Sequence, residues 1–320
     1  MANLTDMDPR NSSSRSSQTA RRAGNLEIPI FGADYARLAV SLGAGRLELN
    51  AAGSYAAGGT TPSLTELHTL LTSLSAGPEE KERVLPPIRI MIRPRGGSSE
   101  QQDFIYSTLE YYAMMHSIQE FKQSGLLRAE RGDGFVFGIL KGGGGGGGLQ
   151  VDVERNTNLV GLAWPFACVF HRAFDDLLGG PGSTEIQTAV EAVRGCGFDG
   201  ILTSGGRGNA PDERNRERLG EIIALAASGS GSGAASQTQQ GPSSDGQQAR
   251  RKVEVIVGGG VRSGNLGTLR GSLESQTAIG GDEPLCWYHS SCITLMDGDT
   301  TFEGQEVSRL VEGLAPAGSG

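Results

Sequence analysis

A closed (β/α)8 barrel of the TIM type, in the α/β class, is what this sequence predicts, and three observations predict it. From Leu26 onward, strand-like and helix-like stretches alternate through eight cycles. The strand-like stretches, such as Ala167-Cys168-Val169-Phe170, are too apolar to leave one face in water, so they read as parallel strands covered on both sides. Polar and charged residues recur at the C-terminal ends of most of these strands rather than at one switch point, which favours a closed barrel over an open doubly wound sheet.

Taken in order, residues 26–31 are the first strand, 34–42 a helix and 46–50 the second strand. Pro62 and Ser63 open a helix running to Leu74, as Pro in a first turn and Ser at a cap should. The third strand spans 88–92, and a long helix spans 106–124. Residues 134–140 form a fourth strand that runs into a glycine run, and 153–162 a short helix. The fifth strand begins at Ala167, and Ser183 caps a helix to Arg194. Residues 200–203, 253–257 and 285–289 are the last three strands, followed by helices over 213–227, 263–273 and 305–314.

Residues 25–314 therefore read as a single barrel domain, with low-complexity insertions at 142–148 and 228–249 that cannot bury apolar surface. Residues 1–24, rich in Ser and Arg, read as a disordered tail, and 315–320 as another. A net charge of −8 argues against general nucleic-acid binding, which draws its affinity from a basic surface. No apolar stretch approaches a membrane span. Cys168, Cys196, Cys286 and Cys292 lack zinc-site spacing and follow no apolar signal segment, which fits free thiols in a reducing cytoplasm.

In such barrels the site lies at the C-terminal face. The second strand brings Glu48 and Asn50 there, the third Arg93 and Arg95, the fifth His171, Arg172 and Asp175. The sixth brings Ser204, Gly205 and Gly206, the seventh Gly259 and Gly260, the eighth His289. Glu48, His171 and Asp175 are the candidate catalytic groups. Arg93, Arg95 and Arg172 either form an ion-pair network with Glu48 and Asp175 or clamp a carboxylate or phosphate. The glycine loops either bare amides to an anion or only make tight turns. Together with His289, the arginines and loops form the candidate substrate-binding set, and no metal ligands are assigned.

Six motifs carry a family resemblance: Arg46-Leu47-Glu48-Leu49, Gly58 to Ser63 (GGTTPS), Met91 to Gly97 (MIRPRGG), Phe170 to Asp175 (FHRAFD), Leu202 to Gly206 (LTSGG) and Gly258-Gly259-Gly260-Val261. In this order the chain resembles the copper homeostasis protein CutC family over about residues 26 to 293. The resemblance implies a TIM-type barrel, a cytoplasmic location, a role in copper homeostasis with copper ion binding, and often a homo-oligomer. Family members have been linked to copper through cysteines. This chain has Pro29 and Asn50 where the family often carries cysteine, and Ser290 where some relatives carry a further one. Strand alternation turns Cys168 and Cys286 toward the helices while Met91, His171 and His289 point inward, which predicts no tight Cu(I) site inside the barrel. The alternative expectation is a TIM-barrel enzyme acting on a small anionic or phosphorylated substrate, with an inert scaffold as the third.

Overall fold

Short polar signals start two helices of this chain. Ser63 and Ser107 each accept a hydrogen bond from the amide three residues on, while Glu66 and Glu110 reach back to the cap amide. These capping boxes open helices over Leu64–Leu74 and Thr108–Gln123. Leu67, Leu70 and Leu74 then bury one face of the first, and Met114, Ile118 and Phe121 one face of the second.

The computed structural model describes residues 25–76, 85–98, 101–143, 148–178, 184–228, 252–277, 286–296 and 299–315. Eight strands form the barrel: β1 (Leu26–Phe31), β2 (Arg46–Asn50), β3 (Ile88–Met91), β4 (Gly134–Phe137), β5 (Ala167–Phe170), β6 (Gly200–Thr203), β7 (Glu254–Val257) and β8 (Cys286–His289). Each pairs in parallel with the next, and β8 closes onto β1 with Glu27 opposite His289. The open doubly wound alternative is thereby excluded.

Alternation along the strands sorts the side chains into two layers. Phe135, Phe137, Cys168, Phe170, Ile201, Val255 and Cys286 face outward into the main core shared with the helices. Met91, Val136, Val169, Leu202 and Ile256 fill the barrel centre against Trp287. Below that apolar plug the barrel holds charge. Arg46, 2% exposed, pairs with Glu27 and, at 2.8 Å, with Glu254. Its guanidinium also lies 4.0 Å over the Trp287 ring. Arg89 donates to Gly132 O at 2.7 Å. A β-carbon at Gly134 would collide with that guanidinium and with Ala167 O, so only glycine lets Arg89 enter here.

Several boundaries differ from the sequence expectation. The fourth strand ends at Phe137, because both backbone groups of Ile139 bond the buried Asn156 side chain and draw the chain off the ladder. The glycine run instead joins an antiparallel hairpin, Leu140–Gly142 with Leu149–Val151. A helical turn, Ala173–Leu177, follows β5, and the next helix begins at Ile186 with Glu185 at its cap. Ser183 lies outside the described residues, as do both expected tails apart from Ala315 and all of the Ser/Gly/Gln segment except Ser228. A second hairpin, Ile293–Met296 with Asp299–Phe302, was not legible in the sequence because its strands are short and carry no sustained alternation. Among the described residues, no helix is long and apolar enough to cross a membrane.

Arg46→Met strands two carboxylates without their cation and should lower stability by about 3–5 kcal/mol, read from the urea midpoint. A loss below about 1 kcal/mol would mean that charge does not hold the barrel floor. Val253 N–H already bonds Ala226 O at 3.2 Å, so the helix before β7 and the strand itself meet without the intervening segment. Replacing residues 229–247 by a short turn should therefore shift stability by no more than about 1 kcal/mol, with unfolding still cooperative in a thermal scan.

Candidate functional site

The C-terminal ends of the barrel strands enclose a cavity of about 790 Å³. Glu48, Arg93, His171, Arg172, Asp175, Gly259, Gly260 and His289 all line it, together with Met91, Phe104 and Pro29. Arg95 does not. Its guanidinium turns to Glu110 at 2.5 Å and to Ile105 O at 2.8 Å, away from the opening.

Glu48 and His289 meet a residue that strand-end reasoning missed. Glu27 sits near the start of β1, and its carboxylate bridges Arg46 and His289 Nδ1, the latter at 2.7 Å. Ligand atoms of Glu27, Glu48 and His289 all lie within 4.8 Å of one another. Burial works against the Glu27 charge, but Arg46 and the His289 hydrogen bond overcome it and hold the carboxyl down to about 2. Burial pushes the Glu48 carboxyl up, with the Glu27 charge adding to it. His289 loses basicity through burial but gains more from its bond to Glu27 and from the Glu48 charge, so its pKa is raised. Glu48 Oε1 accepts from Asn50 Nδ2 at 3.0 Å, whereas its buried Oε2 has no partner. The signal that could have found Glu27 is a carboxylate inside an otherwise apolar strand, LEIPIF, where burial demands a partner.

Asp175 is held for a different purpose. It accepts from Thr203 Oγ1 at 2.5 Å, Ser204 N at 3.0 Å, Ser204 Oγ at 2.9 Å, Gly206 N at 3.2 Å and Arg172 Nε at 2.8 Å. The amide of Gly205 bonds Thr203 Oγ1. The loop Ser204-Gly205-Gly206 thus carries its own anion. Arg172 spans the mouth from Asp175 to Ser204 Oγ, at 2.9 Å, and remains partly exposed beside Gly259. Arg93 donates to Ala57 O and Gly59 O at 2.6 and 2.7 Å and to Asp103 at 2.6 Å, pinning the loop after β2. Gly59 has φ +88°, and a β-carbon there would strike Asn50 Oδ1.

The positions where cysteine was expected have other uses. Pro29 lines the cavity, Asn50 orients Glu48, and Ser290 donates to Val261 O at 2.7 Å while accepting from Arg262 at 2.9 Å. All four cysteines are buried, and none is in a disulfide. Burial, then the Glu254 charge, pushes the Cys286 thiol up to about 12; burial brings Cys292 to about 11. Among the described residues, no cysteine sulfur lines the cavity.

The chain as a whole is similar to proteins of one family. The model of the CutC family matches residues 25–230. A mouse copper homeostasis protein cutC homolog is 36% identical over 247 residues, 76% of this chain and 69% of that protein. A CutC protein of Chromobacterium violaceum is 33% identical over 227 residues, 71% of this chain and 68% of its own length. Among solved structures, a CutC protein of Streptococcus agalactiae superimposes with a TM-score of 0.54 at 21% identity, over 82% of this chain and 97% of its own. That likeness concerns the fold.

The Asp175 geometry predicts a structural effect. Asp175→Asn puts a donor against the Ser204 and Gly206 amides, so stability should fall by about 1–3 kcal/mol. Hydrogen exchange of those amides should speed up in the variant, and unchanged protection would remove Asp175 from this role.

Proposed function

This chain belongs to the CutC family, and from that premise we propose that it serves copper homeostasis by taking copper as cargo at Glu27, Glu48 and His289. One observation carries the reading: Glu48 Oε2 is buried and without a partner, in a residue whose ligand atom lies within 4.8 Å of those of Glu27 and His289. A buried carboxylate oxygen left without a donor or cation is unfavourable, and a metal ion is one group that satisfies it. Arg46 and Asn50 support the ligands from behind, as outer-shell partners do.

Two carboxylates and an imidazole are oxygen and nitrogen donors, which suit divalent copper. Cu(I) prefers sulfur, and Met91 is the sulfur-bearing residue of the cavity wall. The absence of disulfides among the four cysteines agrees with a reducing cytoplasm, so the proposal is tested with both oxidation states.

Titration of the chelator-treated protein with Cu(II) should show one-to-one binding, weakened at least about tenfold, or about 1.4 kcal/mol, in Glu48→Gln. Under reducing conditions, a Cu(I) chelator should outcompete the wild type. Cu(II) affinity unaffected in Glu48→Gln, or lost instead in Cys168→Ser or Cys286→Ser, would overturn the assignment.

A further inference from the structure

Another stretch of the cavity wall has the reverse imbalance. On the side of β3 and β5, two buried donors lack an acceptor, His171 Nε2 and Arg93 Nε. His171 is 3% exposed and its ring lines the cavity. Its Nδ1 accepts from Ala173 N–H at 3.3 Å, which places the ring proton on Nε2. Burial, and then the charge of Arg93, lowers its pKa to about 3, so the ring is neutral and Nε2 acts only as a donor. The terminal nitrogens of Arg93 are engaged with Ala57, Gly59 and Asp103, and its side chain also acts on the buried Tyr106 hydroxyl, while Nε has no acceptor of its own.

Phe104 lies against both side chains. Its ring is 4.7 Å from the His171 ring and 5.1 Å from the Arg93 guanidinium. Its backbone holds φ +63°, a left-handed conformation that costs about 1–2 kcal/mol in a residue with a side chain. Asp103 Oδ1 on its amide and Leu140 N–H on its carbonyl, at 2.9 and 2.8 Å, keep it there. Maintained strain beside unsatisfied donors marks a place that something else completes. The cavity, about 790 Å³, has the size of a small-organic-ligand site and far exceeds one ion.

We propose that this wall is a carboxylate subsite, in which a small organic anion accepts from His171 Nε2–H and Arg93 Nε–H and lays its carbon skeleton on Phe104. A carboxylate supplies acceptors only, and the guanidinium favours an anion over a neutral carbonyl. The subsite is independent of the copper reading, because none of its groups belongs to the Glu27, Glu48 and His289 cluster.

Calorimetric titration of chelator-treated wild type with malonate, succinate and citrate is the test, with malonamide as the uncharged control. At least one carboxylate should bind about tenfold or more tightly than malonamide. His171→Leu should weaken that binding by a similar factor while keeping its Cu(II) affinity, and His171→Gln, which retains a donor, should recover part of it. In the wild type, the His171 Nε2–H resonance should move on addition of the bound carboxylate, a readout that needs no variant. Binding by none of the three anions, equal binding of malonamide, or a stationary resonance would overturn the subsite. Loss of Cu(II) binding in Glu48→Gln with carboxylate binding intact separates the two sites.

Discussion

Arg46 enters the barrel floor and meets Glu27, and much of the interior depends on that pair. A guanidinium shut away from water must have its counter-charge beside it, so Glu27 is drawn inside a strand whose other residues are almost all apolar. The second oxygen of Glu27 then takes His289 Nδ1, across the seam where β8 closes onto β1. One carboxylate thereby neutralises the floor, joins the last strand to the first and orients an imidazole at the mouth. Glu48, one strand away, sits against that imidazole with an oxygen to spare.

The polar groups of the mouth divide by what they are bonded to. Asp175 binds the loop after β6, Arg93 the loop after β2, and Arg262 ties Ser290 to Ile293 O. These are architectural uses, in which charge replaces the water that loop amides and carbonyls would otherwise need. Glu48 Oε2 and His171 Nε2 remain unbonded in the same enclosure, one an acceptor and the other a donor. The two lie on different walls of one cavity, which gives it an electrostatic direction.

Among the described residues, cysteine sulfur lies outside this cavity. Cys168 and Cys286 pack between the barrel and its helices, and burial favours the protonated thiol of Cys286. Asn50 uses its amide on Glu48, and Ser290 uses its hydroxyl on a carbonyl, tasks that a thiol performs poorly. A member of the CutC family can thus present oxygen and nitrogen donors at these positions.

The fold was legible in the sequence because eight alternations of apolar strand and amphipathic helix leave little else to build, and because strand period two assigns each side chain to one face. That period alone placed Met91, His171 and His289 inside and Cys168 outside. Local patterns also marked Ser63 as a cap and Gly258-Gly259-Gly260 as a turn. Partner choice was not legible. The motif Phe170-His171-Arg172-Ala173-Phe174-Asp175 shows a histidine, an arginine and a carboxylate together, yet Asp175 turns to the next strand's loop while His171 Nε2 is left unbonded. Glu27 was overlooked for the same reason: its partners, Arg46, 19 residues on, and His289, 262 residues on, are far away in the chain. Sequence determines which way a strand residue points, since that follows from backbone geometry; only the closed barrel decides which charges meet, since pairing in a low dielectric depends on distances that exist after the first and last strands join.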